Sequence, residues 1–431
     1  MIDIENYLNN FFKGTKNPSL DAMKFFMNEY NNFEKKMNFI HIAGTNGKGS
    51  CLEIITNILI CEGYKVGKFL SPHLIKYNER ISINNILISD EELSNLIIEL
   101  EPKIQKYKEI TGKSITLFEL ETIMGLLYFY RNNVDFVILE TGLGGLYDCT
   151  NVITKPLVSI ISSISYDHMH ILGNSLEEIA TQKAGIIKEN SNTIIFNQEK
   201  SINNIFINTC KQKNNNLHLL KNSDITNYFF DENYQYINFK NLKNIAIILK
   251  GKKQIQNAAI CIECINILNS LDYKISEESL RTGLKTVIHP GRFETLNENP
   301  KIIFDGAHNE DSIKNLQETI NAFYKNKKRT YIISILKRKD YKKILDLLFE
   351  DKNATFIFTS GNNIEQYNDK NILYNFALEN NLAKNIYTME LNDAINFILR
   401  ENYSNIVNFI VGSFYVYGDV IDYINYKQQK M

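Results

Sequence analysis

No apolar run in the sequence approaches the roughly 18 to 20 residues needed to span a bilayer. Its opening, MIDIENYLNN, lacks the basic and then apolar pattern of a secretory signal. These two absences argue against membrane insertion and export, and the expected location is the cytoplasm. Neither sign of charge dominates: 48 Lys and Arg stand against 49 Asp and Glu. A net charge of -1 gives no global attraction to nucleic acid or to an anionic membrane, and neither is expected as a partner. Six cysteines, at 51, 61, 149, 210, 261 and 264, are too scattered for a disulfide framework, so reduced thiols are expected. Cys261 and Cys264 form a CxxC, but a zinc site needs two more suitably spaced ligands. The surrounding QNAAICIECINIL reads as an amphipathic helix, which makes packing the expected role of both thiols. Proline is scarce, and two of the six fall in HPGRFETLNENP, residues 289 to 300.

What is present fits a soluble globular chain, with 44% hydrophobic and 23% charged residues. At 431 residues it exceeds the size at which single cores usually stop growing, so two domains are expected. Short β-branched runs recur with helical patterns between them: NFIHIAG, VDFVILETG, PLVSIISSIS, NTIIFNQ, KIIFDGAHN, TYIISIL, ATFIFTS and IVNFIVGS. That alternation predicts α/β architecture with mainly parallel sheet. Most runs end in small or polar residues, where a parallel sheet presents its ligand site. The proline-bearing segment sets a boundary close to Glu294, giving domains 1–293 and 294–431. Residues 203 to 250, rich in Asn and Lys, are expected to pack as irregular sheet at the end of the first domain.

The strongest local signal is FIHIAGTNGKGSCLEIITNIL. A strand runs into a loop with three glycines, and Lys48, Gly49 and Ser50 then open an apolar helix. Glycines let backbone approach phosphate oxygens, a helix N-terminus offers unpaired amides, and a lysine neutralises phosphate charge. Thr45, Asn46, Gly47, Lys48, Gly49 and Ser50 are therefore the candidate ATP-phosphate residues, with Ser50 on phosphate or on a magnesium-bound water. Gly49 separates the lysine from the serine, a departure from the general GxxxxGK[ST] form. In this spacing GTNGKGS resembles the loop of the Mur ligase superfamily, and particularly its folylpolyglutamate synthase branch.

Further segments resemble that branch in the same order along the chain, from about residue 38 to 420. SPHL and NERI follow the loop, and the resemblance implies that Ser71 helps hold magnesium. TLFE matches a segment near the folate or pterin end of the site, which makes Phe118 and Glu119 candidate substrate residues. VDFVILETG ends a strand at Glu140, a carboxylate suited to Mg²⁺ on chemical grounds and assigned to it by the resemblance. The usual GLGGRLDATN here reads GLGGLYDCTN, which keeps Asp148, a candidate substrate residue, but puts Leu146 where an arginine stands. Leucine cannot pair with a carboxylate or phosphate as arginine can. His168 in DHMHILG matches a histidine on a second magnesium. Lys183 in QKAGI matches a lysine that becomes carbamylated. KKQIQNAAI keeps Gln254 and Asn257, the latter on the nucleotide. Arg292 in HPGRFE matches an arginine that reaches ATP from an interdomain hinge. Asp305 and His308 in DGAHN complete the nucleotide site, with Asp305 on ribose hydroxyls. LKRKD matches MKDKD, and VGSFYVYGDV matches GSLYLVGEV.

The resemblance implies an N-terminal P-loop ATPase domain and a smaller Rossmann-like C-terminal ligase domain. It implies an enzyme using ATP, two Mg²⁺ ions and a carbamylated Lys183 to join L-glutamate to folate or dihydropteroate; a monomer is the default expectation. The acceptor carboxylate takes the γ-phosphoryl group, and the amine of glutamate captures the acyl phosphate. Lys48, Lys183 and His308 are then the catalytic candidates. Two other readings were weighed: a peptidoglycan-type Mur ligase, and a nucleotide-binding switch with little turnover. Only 43 residues precede Gly44, short of a separate UDP-binding domain, and a pure switch has no use for Glu140, His168 and Lys183 together.

Overall fold

The β-branched runs become the inner strands of two sheets. In the computed structural model, which describes residues 4–11, 19–361, 364–380, 385–400 and 405–428, the first sheet holds eight strands. They are β1 (Phe39–Ala43), β2 (Val66–Phe69), β3 (Ile81–Ile83), β4 (Ile86–Leu87), β5 (Phe136–Glu140), β6 (Val158–Ile161), β7 (Asn192–Phe196) and β8 (Asn216–Leu220). Their order is β4-β3-β2-β5-β1-β6-β7-β8. β1 lies inside the parallel part, with Ile42 beside Glu140 of β5 on one flank and beside Ile160 of β6 on the other. Every residue of β1 and β5 is buried, as expected for strands covered on both faces. β3 and β4 turn antiparallel through Asn84 and Asn85, both at positive φ. Asparagine tolerates that geometry better than most residues.

One face of this sheet carries the helices Asp21–Glu29, Asp90–Thr111 and Leu117–Arg131, whose Phe26, Leu100, Ile123 and Phe129 join Phe39, Phe69 and Val137 in one core. A second core joins Ile161 and Ile195 to Ala180, Ala184 and Phe206. The helix Lys252–Ser270 buries Cys261 and Cys264 completely, so the CxxC is part of its packed face. Among the described residues no helix is long and apolar enough to cross a membrane.

The segment expected to be irregular sheet is more ordered than that. Lys200–Gln212 is a helix and β8 extends the main sheet parallel to β7. Ile202, Phe206 and Cys210, each four apart, form the buried stripe; the asparagines between them hide the period from a composition reading. Only β9 (Ile225–Phe230), β10 (Gln235–Phe239) and β11 (Leu242–Ile247) form the antiparallel sheet.

The chain divides into two compact units, Met1–Ile248 with Gln254–Val287, and Leu249–Lys253 with Ile288–Met431. Glu294 is the first residue of β12 (Glu294–Asn297), inside the second unit. The second sheet continues with β13 (Lys301–Asp305), β14 (Lys328–Ile333), β15 (Thr355–Phe358), β16 (Asn385–Thr388) and β17 (Ile406–Val411), in the order β12-β13-β17-β14-β15-β16. All its pairings are parallel except β12 with β13. Tyr331 stacks between Phe356 and Phe409 at its centre, with ring separations of 5.3 and 5.4 Å.

The helix that opens at Lys48 is clamped from outside by the helix Glu277–Thr286, whose Gly283 lies against Ile58. A Cβ on Gly283 would stand 2.7 Å from Ile58 Cα and 2.8 Å from its amide nitrogen, and backbone cannot yield as a side chain can. Alanine is normally preferred to glycine in a helix by about 1 kcal/mol. Here Gly283→Ala is expected instead to destabilise the protein by about 2–3 kcal/mol, read as a lower urea midpoint. A higher midpoint would show that the two helices have room to separate.

Candidate functional site

β1 ends at Ala43, and the chain turns through Gly44 at φ +154° and Gly47 at φ +92° before the helix Lys48–Cys61 begins. Both glycines are sterically required. A Cβ at Gly44 would fall 1.8 Å from Ser162 Oγ, and one at Gly47 would fall 2.7 Å from Asn257 Oδ1. Gly47 occupies the N-cap, and no side chain caps the helix. Its first-turn amides are thus left to an anion.

The loop is fixed from the end of β6. The Thr45 amide donates to Ser163 O at 2.7 Å, and the Ser162 and Ser163 hydroxyls donate to Asn46 O at 2.7 and 3.2 Å. The Thr45 hydroxyl donates to Ser165 O and accepts from the Ser165 amide. Thr45, expected on ATP, therefore uses both its hydroxyl and its amide to hold the loop. On the other flank Gln254 Nε2 donates to Ser50 Oγ at 3.0 Å, and Asn257 Nδ2 donates to Gln254 Oε1 at 3.0 Å. This relay seats Asn257 against Gly47.

Two lysines converge on one carbonyl. Lys48 Nζ donates to Gly44 O at 3.2 Å, and Lys183 Nζ, from the helix Leu176–Ala184, donates to the same oxygen at 2.8 Å. Lys48 Nζ also lies 3.8 Å from Glu140 Oε1. Lys183 is 3% exposed. Burial first, and the Lys48 charge second, push its amine down to about 7 against the opposing pull of Asp167 and Asp148.

Glu140 accepts a hydrogen bond from the Ser71 amide at 3.3 Å. A carboxylate beside a serine is a hard oxygen donor set, and a Mg²⁺ ion that keeps several waters and takes phosphate oxygens needs little more from the protein. Among the described residues no group of three His, Cys, Asp or Glu side chains is arranged to hold a metal. His168 adopts φ +49° at the start of the short helix Met169–Leu172, with its side chain 41% exposed and its amide donating to Asp167 Oδ1.

The candidate acceptor residues fare differently. Phe118 packs across Gly142, where a Cβ would meet its ring at 2.5 Å, and against Phe69 at 5.9 Å, so it touches the turn that follows Glu140. Glu119 closes the capping box of the helix Leu117–Arg131, taking the amide and hydroxyl of Thr116 at 2.6 and 2.8 Å. Its Oε2 is thus committed to the cap. Asp148 is 5% exposed and accepts from the Leu143 amide, the Thr150 amide and the Thr150 hydroxyl. It ties the glycine turn to the 3₁₀ helix Cys149–Val152 instead of facing a ligand. Because the Thr150 hydroxyl is spent on Asp148, His41 donates to it through Nε2 at 2.8 Å. Burial holds that imidazole neutral, pushed down to about 3.

In the second unit Asp305 ends β13 and accepts from the Phe293 and Ala307 amides at 2.9 and 2.8 Å. Burial raises its carboxyl, with Arg292 acting in the opposite sense. His308 Nδ1 lies 2.7 Å from Gly306 O. A carbonyl only accepts, so Nδ1 carries the proton of this bond. The sequence reading missed Ser162 and Ser163; the small-residue run ISSIS after β6 was their signal.

Known proteins agree with this arrangement over almost the whole chain. The Mur ligase middle domain matches residues 42–265, and the C-terminal domain of dihydrofolate synthetase matches residues 291–423. The dihydrofolate synthase/folylpolyglutamate synthase of Bacillus subtilis is 35% identical over 428 residues, covering 97% of each chain. The folylpolyglutamate synthase of Mycobacterium tuberculosis, solved with ADP and AMPPCP, superposes with a TM-score of 0.86 at 25% identity over 96% of each chain. That of Thermotoga maritima gives 0.83 at 28% identity over 98% of this chain and 96% of its own. A phosphate loop with its paired lysines, two matching domains and a relative alike from end to end establish that this chain belongs to the dihydrofolate synthase/folylpolyglutamate synthase family of Mur-type ligases.

Proposed function

We propose that the protein is an ATP-dependent ligase that joins L-glutamate to a folate-type carboxylate, with dihydropteroate as a second acceptor. The observation that carries this reading is the convergence of Lys48 and Lys183 on Gly44 O, with Glu140 beside Lys48, at an uncapped helix N-terminus. An acceptor carboxylate oxygen attacks the γ-phosphorus, ADP leaves, and an acyl phosphate forms. The amine of glutamate then attacks the acyl carbon, giving up a proton as inorganic phosphate departs. Lys48 and the loop amides offset charge on the transferring group.

Glu140 and Ser71 would hold a magnesium ion, which supplies positive charge against the β- and γ-phosphates. A second ion at His168 has weaker support, because imidazole is a poor partner for Mg²⁺ and this one stands on an exposed turn. One ion held by Glu140 and Ser71 is therefore the proposal. Asn257, Arg292 and Asp305 are each assigned to the nucleotide, and His308 to catalysis.

Lys183 is proposed to be carbamylated. A neutral amine adds CO₂ and releases a proton, leaving an anion close to Lys48 in place of a second cation. The remaining N–H can still donate to Gly44 O. An amine pushed down to about 7 is largely neutral at pH 8 and largely protonated at pH 6. At equal dissolved CO₂, CO₂-depleted enzyme should therefore be activated faster at pH 8 than at pH 6. Lys183→Ala is expected to lose about 100-fold in turnover while retaining its thermal midpoint. Wild-type turnover by this variant would remove the carbamate from the mechanism.

The reading as a whole is tested by ATP- and Mg²⁺-dependent incorporation of radiolabelled glutamate, with dihydropteroate and tetrahydrofolate as separate acceptors and Lys48→Ala as the blank. Incorporation into either acceptor that vanishes in the blank is expected; none into either would overturn it. Asp148→Asn separates a brace from a ligand. Exchanging one of three accepted hydrogen bonds for a buried amide donor is expected to cost about 2–3 kcal/mol of stability without any substrate present. A variant of unchanged stability and raised acceptor KM would return Asp148 to the substrate.

A further inference from the structure

Arg292 and His308, both assigned above, are organised by one aromatic ring that no motif assigns to them. Phe414 stands where the related GSLY segment has leucine. The Arg292 guanidinium lies over its ring with Cζ 4.3 Å from the centroid. The His308 ring meets it edge-on at 5.9 Å and 68°. Its remaining surface covers the backbone at Gly306, where a Cβ would meet three ring carbons at 2.2 to 2.4 Å. Gly306 is flanked by Asp305, and its carbonyl accepts a hydrogen bond from His308 Nδ1. The ring itself is set by a short turn: Ser413, 1% exposed, accepts the Tyr415 amide at 3.1 Å and opens the 3₁₀ helix Phe414–Val416.

A guanidinium over an aromatic face is attracted by the negative charge of that face, which leucine does not possess. We infer that Phe414 is a positioning residue for nucleotide binding, holding Arg292 through its π face and seating Gly306 and His308 against the same ring. This rests on the assignment of Arg292 and Asp305 to the nucleotide and of His308 to catalysis. In this chain the aromatic face does work that an aliphatic residue leaves to packing alone.

The discriminating experiment changes the charge of the face with little change of shape. Phe414 in the full chain is replaced by 4-fluoro-, 3,5-difluoro- and 3,4,5-trifluorophenylalanine, and by leucine and tryptophan, with ADP affinity measured by calorimetry and ligation kinetics in parallel. ADP affinity is expected to fall stepwise with fluorine number. Phe414→Leu should lose about three- to ten-fold in affinity, and Phe414→Trp should retain it. Thermal midpoints should stay constant across the fluorinated series, which a purely structural role would also give; the graded affinity is what separates the two. Equal ADP affinity for every fluorinated variant, in an enzyme that still ligates glutamate, would overturn the role of the ring alone. A wild-type protein that neither binds ADP nor ligates would instead overturn the functional assignment beneath it.

Discussion

Two ammonium groups meeting at one carbonyl oxygen is the arrangement on which the first unit's site depends. Gly44 O receives both Lys48 and Lys183, and such proximity of like charges is tolerable only if one of them gives up its proton. Lys183, with almost no access to water, is the one that does. Lys48 is partly exposed and has Glu140 within reach. The pair is thus asymmetric, with burial acting far more strongly on Lys183 than on Lys48. The asymmetry follows from depth in the fold and from which side the carboxylate approaches.

That pair is held in register by the absence of side chains as much as by their presence. Gly44 has no room for a Cβ because the Ser162 hydroxyl occupies the space, and this hydroxyl donates to Asn46 O. Gly47 has none because Asn257 fills it, and Asn257 is fixed by Gln254 and Ser50. Each glycine therefore marks where a polar side chain from a distant part of the chain buttresses the loop. Gly283 applies the same device one layer out, letting the helix Glu277–Thr286 press on the helix that presents the loop amides. Close approach, rather than flexibility, is what glycine contributes at these places.

The strands that were legible in the sequence are those buried on both faces. Their unbroken apolar runs became β1, β5, β6, β7, β13, β14, β15 and β17. β2 was not legible, because VGKF carries a lysine on a fully buried strand. Lys68 is neutralised there by Glu53 at 2.8 Å, with Asn85 as a third partner, and no strand pattern can anticipate a partner fifteen residues away on a helix. The site shows the same division. Lys48, Ser71 and Glu140 lie at or beside a helix start or a strand end, which is where a motif couples a chemical group to the backbone, and Lys183 and Asn257 lie on helices. Thr45, Glu119 and Asp148 sit in equally specific motifs, yet their side chains bond to the fold itself. A motif shows that a residue type is required, and only the hydrogen-bond partners show whether a ligand or the loop requires it.

The substitution at Leu146 can be read in that light. The turn around it is held by backbone: the Leu146 amide donates to Gln182 O at 2.7 Å, and Leu146 O accepts from Asn151 Nδ2 at 2.9 Å. Gly185 packs so closely that a Cβ there would lie 2.3 Å from Leu146 Cα. None of these contacts uses the side chain at 146, which is 36% exposed. Exchanging arginine for leucine therefore leaves the turn, Asp148 and the path from Glu140 to Lys183 in place. What it removes is a surface cation able to pair with an anionic group of the acceptor. The turn is thus held by backbone atoms while the side chain at 146 stays exposed, so that side chain can change while the turn stays fixed.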